Sequence, residues 1–305
     1  MKERTVFPFL NLQEQGVIKK VDGRFSKGNN VHIQNFTDTM QKVSINFEPA
    51  KYFMKSTSLE QALASVTSSR MYGEIGINTP PVFMLKNFDS YSANTLQQSV
   101  FSFEDALITL ASTDLEYAKI ERKFFGKFKW QMFYDTGLIQ EFLKYMTPEC
   151  LEQLQNIFLI DEMRTDIDRL TKNYFFYKSP ESKKYEGIVV IDLEQMTIFN
   201  YCASSKDDFE AFILYPYQSA TPQQVNDELC YKQRVNDIRE LIQDGVLSAN
   251  NIDTIKKALS YDFAKSLRAN MKGKMINPKI KNNIITPVSR LWDYNNNTIG
   301  KDLGL

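Results

Sequence analysis

Histidine is almost missing from this chain, with His32 standing alone among 305 residues. Ser-His-Asp triads and His-rich metal sites need imidazole as base or ligand, so both fall away unless that one ring serves. The neighbours of His32 alternate as in a strand, which points to a structural place. Cysteine is scarce too. Cys150, Cys202 and Cys230 lie far apart and form no C-x-x-C, so neither a zinc site nor a disulfide scaffold is indicated, and buried thiols are the plain reading. Neither sign of charge is in excess, since 37 Lys+Arg balance 37 Asp+Glu. No global field therefore draws nucleic acid or an anionic membrane to the chain. Apolar runs stay well short of the ~20 residues of a membrane span. The start, M-K-E-R-T-V-F-P-F-L-N-L, has too short an apolar stretch for a secretory signal. The expected location is the cytoplasm, or another cell reached by export as an effector without a cleavable signal.

What is present is an ordinary globular composition, 43% hydrophobic and 24% charged. At 305 residues the chain is long for one core and short for three, so two lobes sharing an interface are expected.

One stretch, Ile160 to Glu194, organises the rest. Asp168 and Asn173 lie five positions apart, and the apolar run Tyr174-Phe175-Phe176-Tyr177 follows at once as a strand. Lys178 to Glu186 is a turn-rich connector, and Gly187-Ile188-Val189-Val190-Ile191 is a second strand ending at Asp192. In an antiparallel hairpin the first residue of one strand lies beside the last of the other, so Asn173 and Asp192 meet at the open end. Asp168 sits on the loop feeding that end. Two carboxylates and an amide oxygen suit a hard cation such as Mg²⁺, which keeps several waters or phosphate oxygens as further ligands. Each residue alone has a structural explanation, because Asp and Asn are ordinary cap and turn residues. The joint spacing favours the site. Asp166-Ile167-Asp168 as a nucleotide-sugar D-x-D lacks the upstream βαβ pattern, and a calcium loop counted from Asp166 has Thr171 where glycine is needed.

These residues resemble the catalytic core of kinase-fold phosphotransferases. The likeness is nearest to the atypical branch of HipA-like toxin kinases and phosphatidylinositol 3-/4-kinase-like proteins, whose loop reads D-R-H-x-x-N before an apolar strand. Here it reads Asp168-Arg169-Leu170-Thr171-Lys172-Asn173, with Leu170 in place of the histidine, and no glycine follows Asp192. CotH-like secreted kinases carry a related Asp/Asn hairpin. The resemblance implies Asp168 as the base toward the acceptor hydroxyl and Asn173 with Asp192 as Mg²⁺ ligands, ATP being the donor.

Upstream, Val31–Asn35, Lys42–Phe47 and Lys51–Lys55 read as three strands, after an irregular lead-in with one strand over Gly16–Val21. By the resemblance, the loop Phe36–Gln41 covers the phosphates. It has no glycine, leaving Thr37 and Thr39 hydroxyls and backbone N–H groups to meet phosphate, whereas Gly23–Gly28 has glycines but lies one strand too early. Lys55, ending the third strand, is what the resemblance implies as the phosphate-binding lysine, with Lys51 as the substitute and a solvated lysine as the structural alternative. Ser58 caps a helix running to about Gly73, and Glu60 is preferred over Glu74 as the acid pairing Lys55. The following Gly-Ile-x-x-Pro passage and strand at Val82 are similar to the same family's small lobe. A strand Leu96–Phe101 leads to Ser102-Phe103-Glu104, which the resemblance implies is the hinge where adenine hydrogen-bonds to backbone.

From Ala106 the pattern turns helical, with segments at Ala106–Leu110, Leu138–Met146, Thr147–Met163, Val225–Ile242 and Ile252–Leu267, and Ser248–Asn251 as a linker. The run Lys123–Trp130 can be read as a nucleic-acid stacking surface. Aromatic core with lysines outward is the better reading. The basic tail from Lys272 is a solvated surface or a contact for an anionic ligand or partner. The expected fold is thus α+β, a two-lobed protein kinase-like fold with a mostly β lobe over 1–101 and a helical lobe over 102–305. The expected activity is ATP- and Mg²⁺-dependent transfer of the γ-phosphoryl group to a protein Ser/Thr, with an inositol lipid as the second acceptor. The expected partner is an unidentified protein substrate, with neither nucleic acid nor a membrane span. A catalytically silent kinase-like scaffold and an AMP-transferring enzyme are the alternatives.

Overall fold

The structure is a computed structural model that describes residues 17–22, 30–46, 51–88, 92–100, 109–110, 130–164, 173–193 and 231–262. Close to the end it also describes 265–266, 269, 300–301 and 303–305. Asp168, Leu170, Phe103 and the loop Gly23–Gly28 lie outside these residues.

Five antiparallel strands form the first sheet: β1 (Val31–Asn35), β2 (Met40–Ile45), β3 (Tyr52–Ser58), β4 (Val82–Phe88) and β5 (Ser92–Gln98). Their order is β1-β2-β3-β5-β4, which places β3 at the centre. Alternation along the strands divides the two faces. Val43, Ile45, Tyr52, Met54, Leu85 and Leu96 point to one side, where they bury Val21 of the short helix α1 (Val17–Asp22). Against the other side packs α2 (Leu59–Glu74), whose Leu59, Ala62, Leu63 and Val66 share a core with Val82, Met84 and Ala93. Helix α2 begins where β3 ends because the Ser58 hydroxyl accepts the Gln61 N–H at 3.2 Å, an N-cap of the expected kind.

The second sheet has three antiparallel strands, β6 (Thr109–Leu110), β7 (Tyr174–Lys178) and β8 (Gly187–Val190), with β7 in the middle. The helical part comprises α3 (Gln131–Tyr134), α4 (Thr136–Tyr145), α5 (Pro148–Arg164), α6 (Tyr231–Gln243) and α7 (Ala249–Leu259). Helix α5 is its axis. It starts with Pro at the first helical position, where no N–H is required, and the Thr147 hydroxyl accepts the Cys150 N–H. Trp130 meets Phe158 of α5 edge-on at 4.7 Å, which is core packing at that end of the aromatic run. On its far side α5 holds α7 through Asn251 donating to Asn156 at 2.7 Å and through Glu152, which accepts from Ser248 and Asn250.

Three contacts fasten the first sheet and α2 to the hairpin. The Val190 N–H donates to the Asn78 carbonyl at 2.9 Å. Val100, just past β5, is buried with Phe175, Tyr177 and Val189. Deepest of all, Asp161 of α5, only 2% exposed, accepts hydrogen bonds from Tyr72 of α2 and Tyr174 of β7.

The architecture is α+β, as expected, with the larger antiparallel sheet in the N-terminal part and most of the described helices after it. Several local expectations are corrected. The Gly16–Val21 segment is not a strand but carries the helix α1, because burying Ile18 and Val21 on the sheet decides a six-residue segment that propensity leaves open. The strand expected at Leu96–Phe101 is Ser92–Gln98 instead. Thr109–Leu110, expected in a helix, pairs with Tyr177–Lys178 as an added strand. Ser248–Asn251 is not a linker: Ser248 and Asn251 form a reciprocal capping box that starts α7, which ends at Leu259 rather than Leu267. No helix among the described residues is long and apolar enough to cross a membrane.

Candidate functional site

Lys55 is the next-to-last cleft-facing residue of β3, since Phe53, Lys55 and Thr57 share a face by the two-residue period. Cross-strand pairing brings Met40 of β2 and Thr95 of β5 beside Lys55, and Gln97 beside Phe53, on that same face. From the opposite side comes the open end of the β7–β8 hairpin. There the Ile191 N–H donates to the Asn173 carbonyl at 3.0 Å, so the register pairs Asn173 with Ile191 and leaves Asp192 one residue beyond that pair, at the same open end.

Between the two sides lies a cleft of about 230 Å³, lined by Met40, Phe53, Lys55, Ser65, Thr95, Gln97, Asn173, Ile191 and Asp192. Across it the Lys55 ammonium donates to Asp192 Oδ1 at 2.9 Å, joining residues 137 positions apart. Both side chains keep access to water, at 27% and 29% exposure. Asp192 is held at φ +61°, the left-handed region that a side chain normally avoids and that Asp tolerates better than most. This turn of the backbone, just past β8, carries the chain away from the strand direction at the residue whose carboxylate faces Lys55. Asn173 is 2% exposed, so its amide is set in the wall rather than on the surface.

An ammonium, a carboxylate and a buried amide around one cleft can hold a polyanion with its counter-ion. The lysine supplies a point charge for phosphate, and the carboxylate and amide oxygens are hard ligands of the kind that Mg²⁺ takes one or two at a time. The donor set therefore fits that ion. Among the described residues no three His, Cys, Asp or Glu side chains gather around a metal position.

Other expected site residues are placed as follows. Thr37 and Thr39 lie exposed in the β1–β2 turn, beside Met40 at the cleft edge. There the Phe36 and Thr37 N–H groups both donate to the Met40 carbonyl at 2.9 Å, and the Met40 N–H donates to the Thr37 hydroxyl at 3.0 Å. In this conformation those donors serve the turn. Glu60 is in the first turn of α2, and at about 100° per residue it stands roughly 140° around the helix from Ser65, the α2 residue that lines the cleft. The Glu60 side chain lies outside the described residues, and Asp192 is a carboxylate that meets Lys55. Phe103 and Asp168 are outside the described residues. His32 is exposed on the edge strand β1 and does not line the cleft. Sequence reasoning did not name Phe53, Ser65, Thr95 or Gln97. The signal for Phe53 was present, because a strand that presents Lys55 to a cleft presents the residue two before it as well.

No family model matches the chain, and no curated protein does. Among solved structures the chain is similar to the Helicobacter pylori proinflammatory kinase CtkA, at 14% identity over 86% of this chain and 93% of that one, with TM-score 0.47. It is also similar to the HipA structure from the Shewanella oneidensis MR-1 toxin–antitoxin complex with HipB and operator DNA. That match has 9% identity over 100% of this chain and 76% of the other, with TM-score 0.46.

Proposed function

We propose that this protein is a phosphotransferase that moves the γ-phosphoryl group of ATP to a hydroxyl, with a Ser or Thr side chain of a protein as acceptor. The observation that carries this reading is the cleft itself, in which Lys55 of the first sheet faces Asp192 and Asn173 at the open end of the β7–β8 hairpin. In the proposal Lys55 holds phosphate oxygens, and Asn173 and Asp192 hold Mg²⁺. When bound, that ion neutralises charge on the β- and γ-phosphates. Asp168, eight residues past the Ile160 turn of α5, takes the proton of the acceptor hydroxyl as its oxygen bonds to the γ-phosphorus. The bond from that phosphorus to the β–γ bridging oxygen breaks, and ADP leaves with the electron pair. Catalysis then comes from positioning and charge neutralisation. The lobes of the proposal are residues 1–101 and 102–305.

A second reading, a kinase-like scaffold that binds a partner without turnover, is favoured by one observation. The β1–β2 turn has no glycine and ties two of its own N–H groups to Met40. Intact-mass spectrometry of the protein after incubation with ATP and Mg²⁺, run beside Asp192→Ala, separates the two. A gain of phosphate units in the unaltered chain alone supports the kinase. A gain of AMP units replaces it with an AMP-transferring enzyme. No gain, with Mg²⁺-dependent ATP binding by calorimetry, supports the scaffold, and loss of binding altogether rejects the metal-and-phosphate reading of the cleft.

A further inference from the structure

The far end of the cleft from the Lys55–Asp192 pair has a different chemistry, and it rests on residues that no role above uses. Two residues along β3 from Lys55, about 7 Å at the usual strand rise, stands Phe53, with Gln97 paired directly beside it on the cleft face. Phe36, at the start of the β1–β2 turn, packs its ring 5.6 Å from that of Phe53 and extends the aromatic surface. Ile191 lines the cleft from the hairpin side. A planar group entering here would lie on an aromatic face with an aliphatic side chain nearby and a primary amide at its edge.

The hydrogen-bonding inventory points the same way. Ser65 and Thr95 are 8% and 5% exposed, and buried hydroxyls ordinarily have partners. Yet the side chains of Ser65, Thr95 and Gln97 make no hydrogen bond among the described residues, and all three line this cleft. Their donors and acceptors are available to a polar ligand.

We propose that Phe53 and Gln97 form the base-recognition end of the nucleotide site, with the Gln97 amide reading the edge of adenine and the Phe53 ring covering its face. This deepens the phosphotransferase reading and rests on it. A glutamine amide meets adenine with two bonds at once, its oxygen accepting from N6–H and its nitrogen donating to N7. Guanine offers two acceptors on that edge, so the same amide makes one bond there. A glutamate at position 97 would accept from adenine N6–H but set its second oxygen against the N7 lone pair, whereas guanine turned to present its other edge would donate to it from both N1–H and N2–H.

Calorimetric titration of the full chain with ATP and with GTP, each with Mg²⁺, tests this. The unaltered chain is expected to bind ATP about tenfold or more tightly than GTP, the size of effect one bidentate base contact gives. Gln97→Ala should bring the two nucleotides close to parity, and the isosteric Gln97→Glu should reverse the order. Phe53→Leu should weaken both alike, because an aromatic face does not distinguish the bases. The base assignment is overturned if ATP binds but Gln97→Glu leaves the ATP:GTP ratio unchanged in a variant whose melting temperature matches that of the unaltered chain. If neither nucleotide binds the unaltered chain, the phosphotransferase reading itself falls and this assignment with it.

Discussion

Two hairpins reach the cleft, and they are built differently. In β7–β8 every strand residue but Lys178 is buried, and the strands read as continuous apolar runs because both faces are covered. In β1–β2 the outer strand is exposed from His32 to Asn35, and Phe36 at its turn is 54% exposed. The buried hairpin carries Asn173 and Asp192 and is tied to α2 through Asp161. The exposed one carries Thr37 and Thr39 and is held at its tip by bonds within four residues. Groups whose geometry must not drift are best placed on packed elements, while a segment that has to meet a ligand is drawn from the less stable end of the fold. Matched substitutions in the two hairpins should therefore differ in cost.

The largest effect is expected at the root of the buried hairpin. Asp161→Ala would remove a buried acceptor that the Tyr72 and Tyr174 hydroxyls share, at a cost of about 3 kcal/mol in urea unfolding. A loss under about 1 kcal/mol would show that this fastening is dispensable. Next comes Gly187→Ala, where an added Cβ would come within 2.8 Å of Tyr177 Cε1 in a packed interior. About 2 kcal/mol is expected, the usual size of overpacking, and an unchanged denaturation midpoint would contradict the rigidity ascribed to this hairpin.

Cys150 sharpens the same contrast through pH. Burial, with Glu149 and Glu186 nearby, pushes its thiol well above the ordinary range, so the native state keeps a proton that the unfolded chain releases above about pH 8.5. The unfolded state then binds fewer protons, and stability falls as pH rises, by about 1.4 kcal/mol per pH unit beyond that point until the native thiol ionises. Comparing urea midpoints at neutral and alkaline pH, Cys150→Ala should lose less than the unaltered chain. Equal losses would remove the thiol from the explanation. The smallest effect is expected in the exposed hairpin. Thr37→Val removes the acceptor of the Met40 N–H, which water can replace, at under about 1 kcal/mol. A cost equal to that of Gly187→Ala would erase the distinction.

The parts that were legible beforehand share a local cause. Tyr174–Tyr177 and Gly187–Ile191 are short apolar runs on either side of a turn-rich connector, and Ser58 and Pro148 are start signals read from neighbouring residues alone. Strand β5 was placed too late because its sequence, S-A-N-T-L-Q-Q, is polar on both faces, with Thr95 and Gln97 on one and Asn94 and Gln98 on the other, so the alternation by which strands are recognised is missing. Strand β6 was missed because two residues become a strand only when β7 is there to pair with them. Helix α1 was misread because its packing partners Met54 and Leu96 lie far along the chain.

The sequence alone determined the pieces: which runs extend, where helices α2 and α5 begin, and that Asn173 and Asp192 share the open end of one hairpin. Each follows from periods and caps that act over a few residues. Only the tertiary structure decided that Lys55 would face Asp192, that Tyr72 and Tyr174 would share Asp161, and that Phe53 and Gln97 would line the same cleft as both. Those pairings join positions up to 137 residues apart. They are set by how the faces of whole elements bury one another, which no window of local sequence contains.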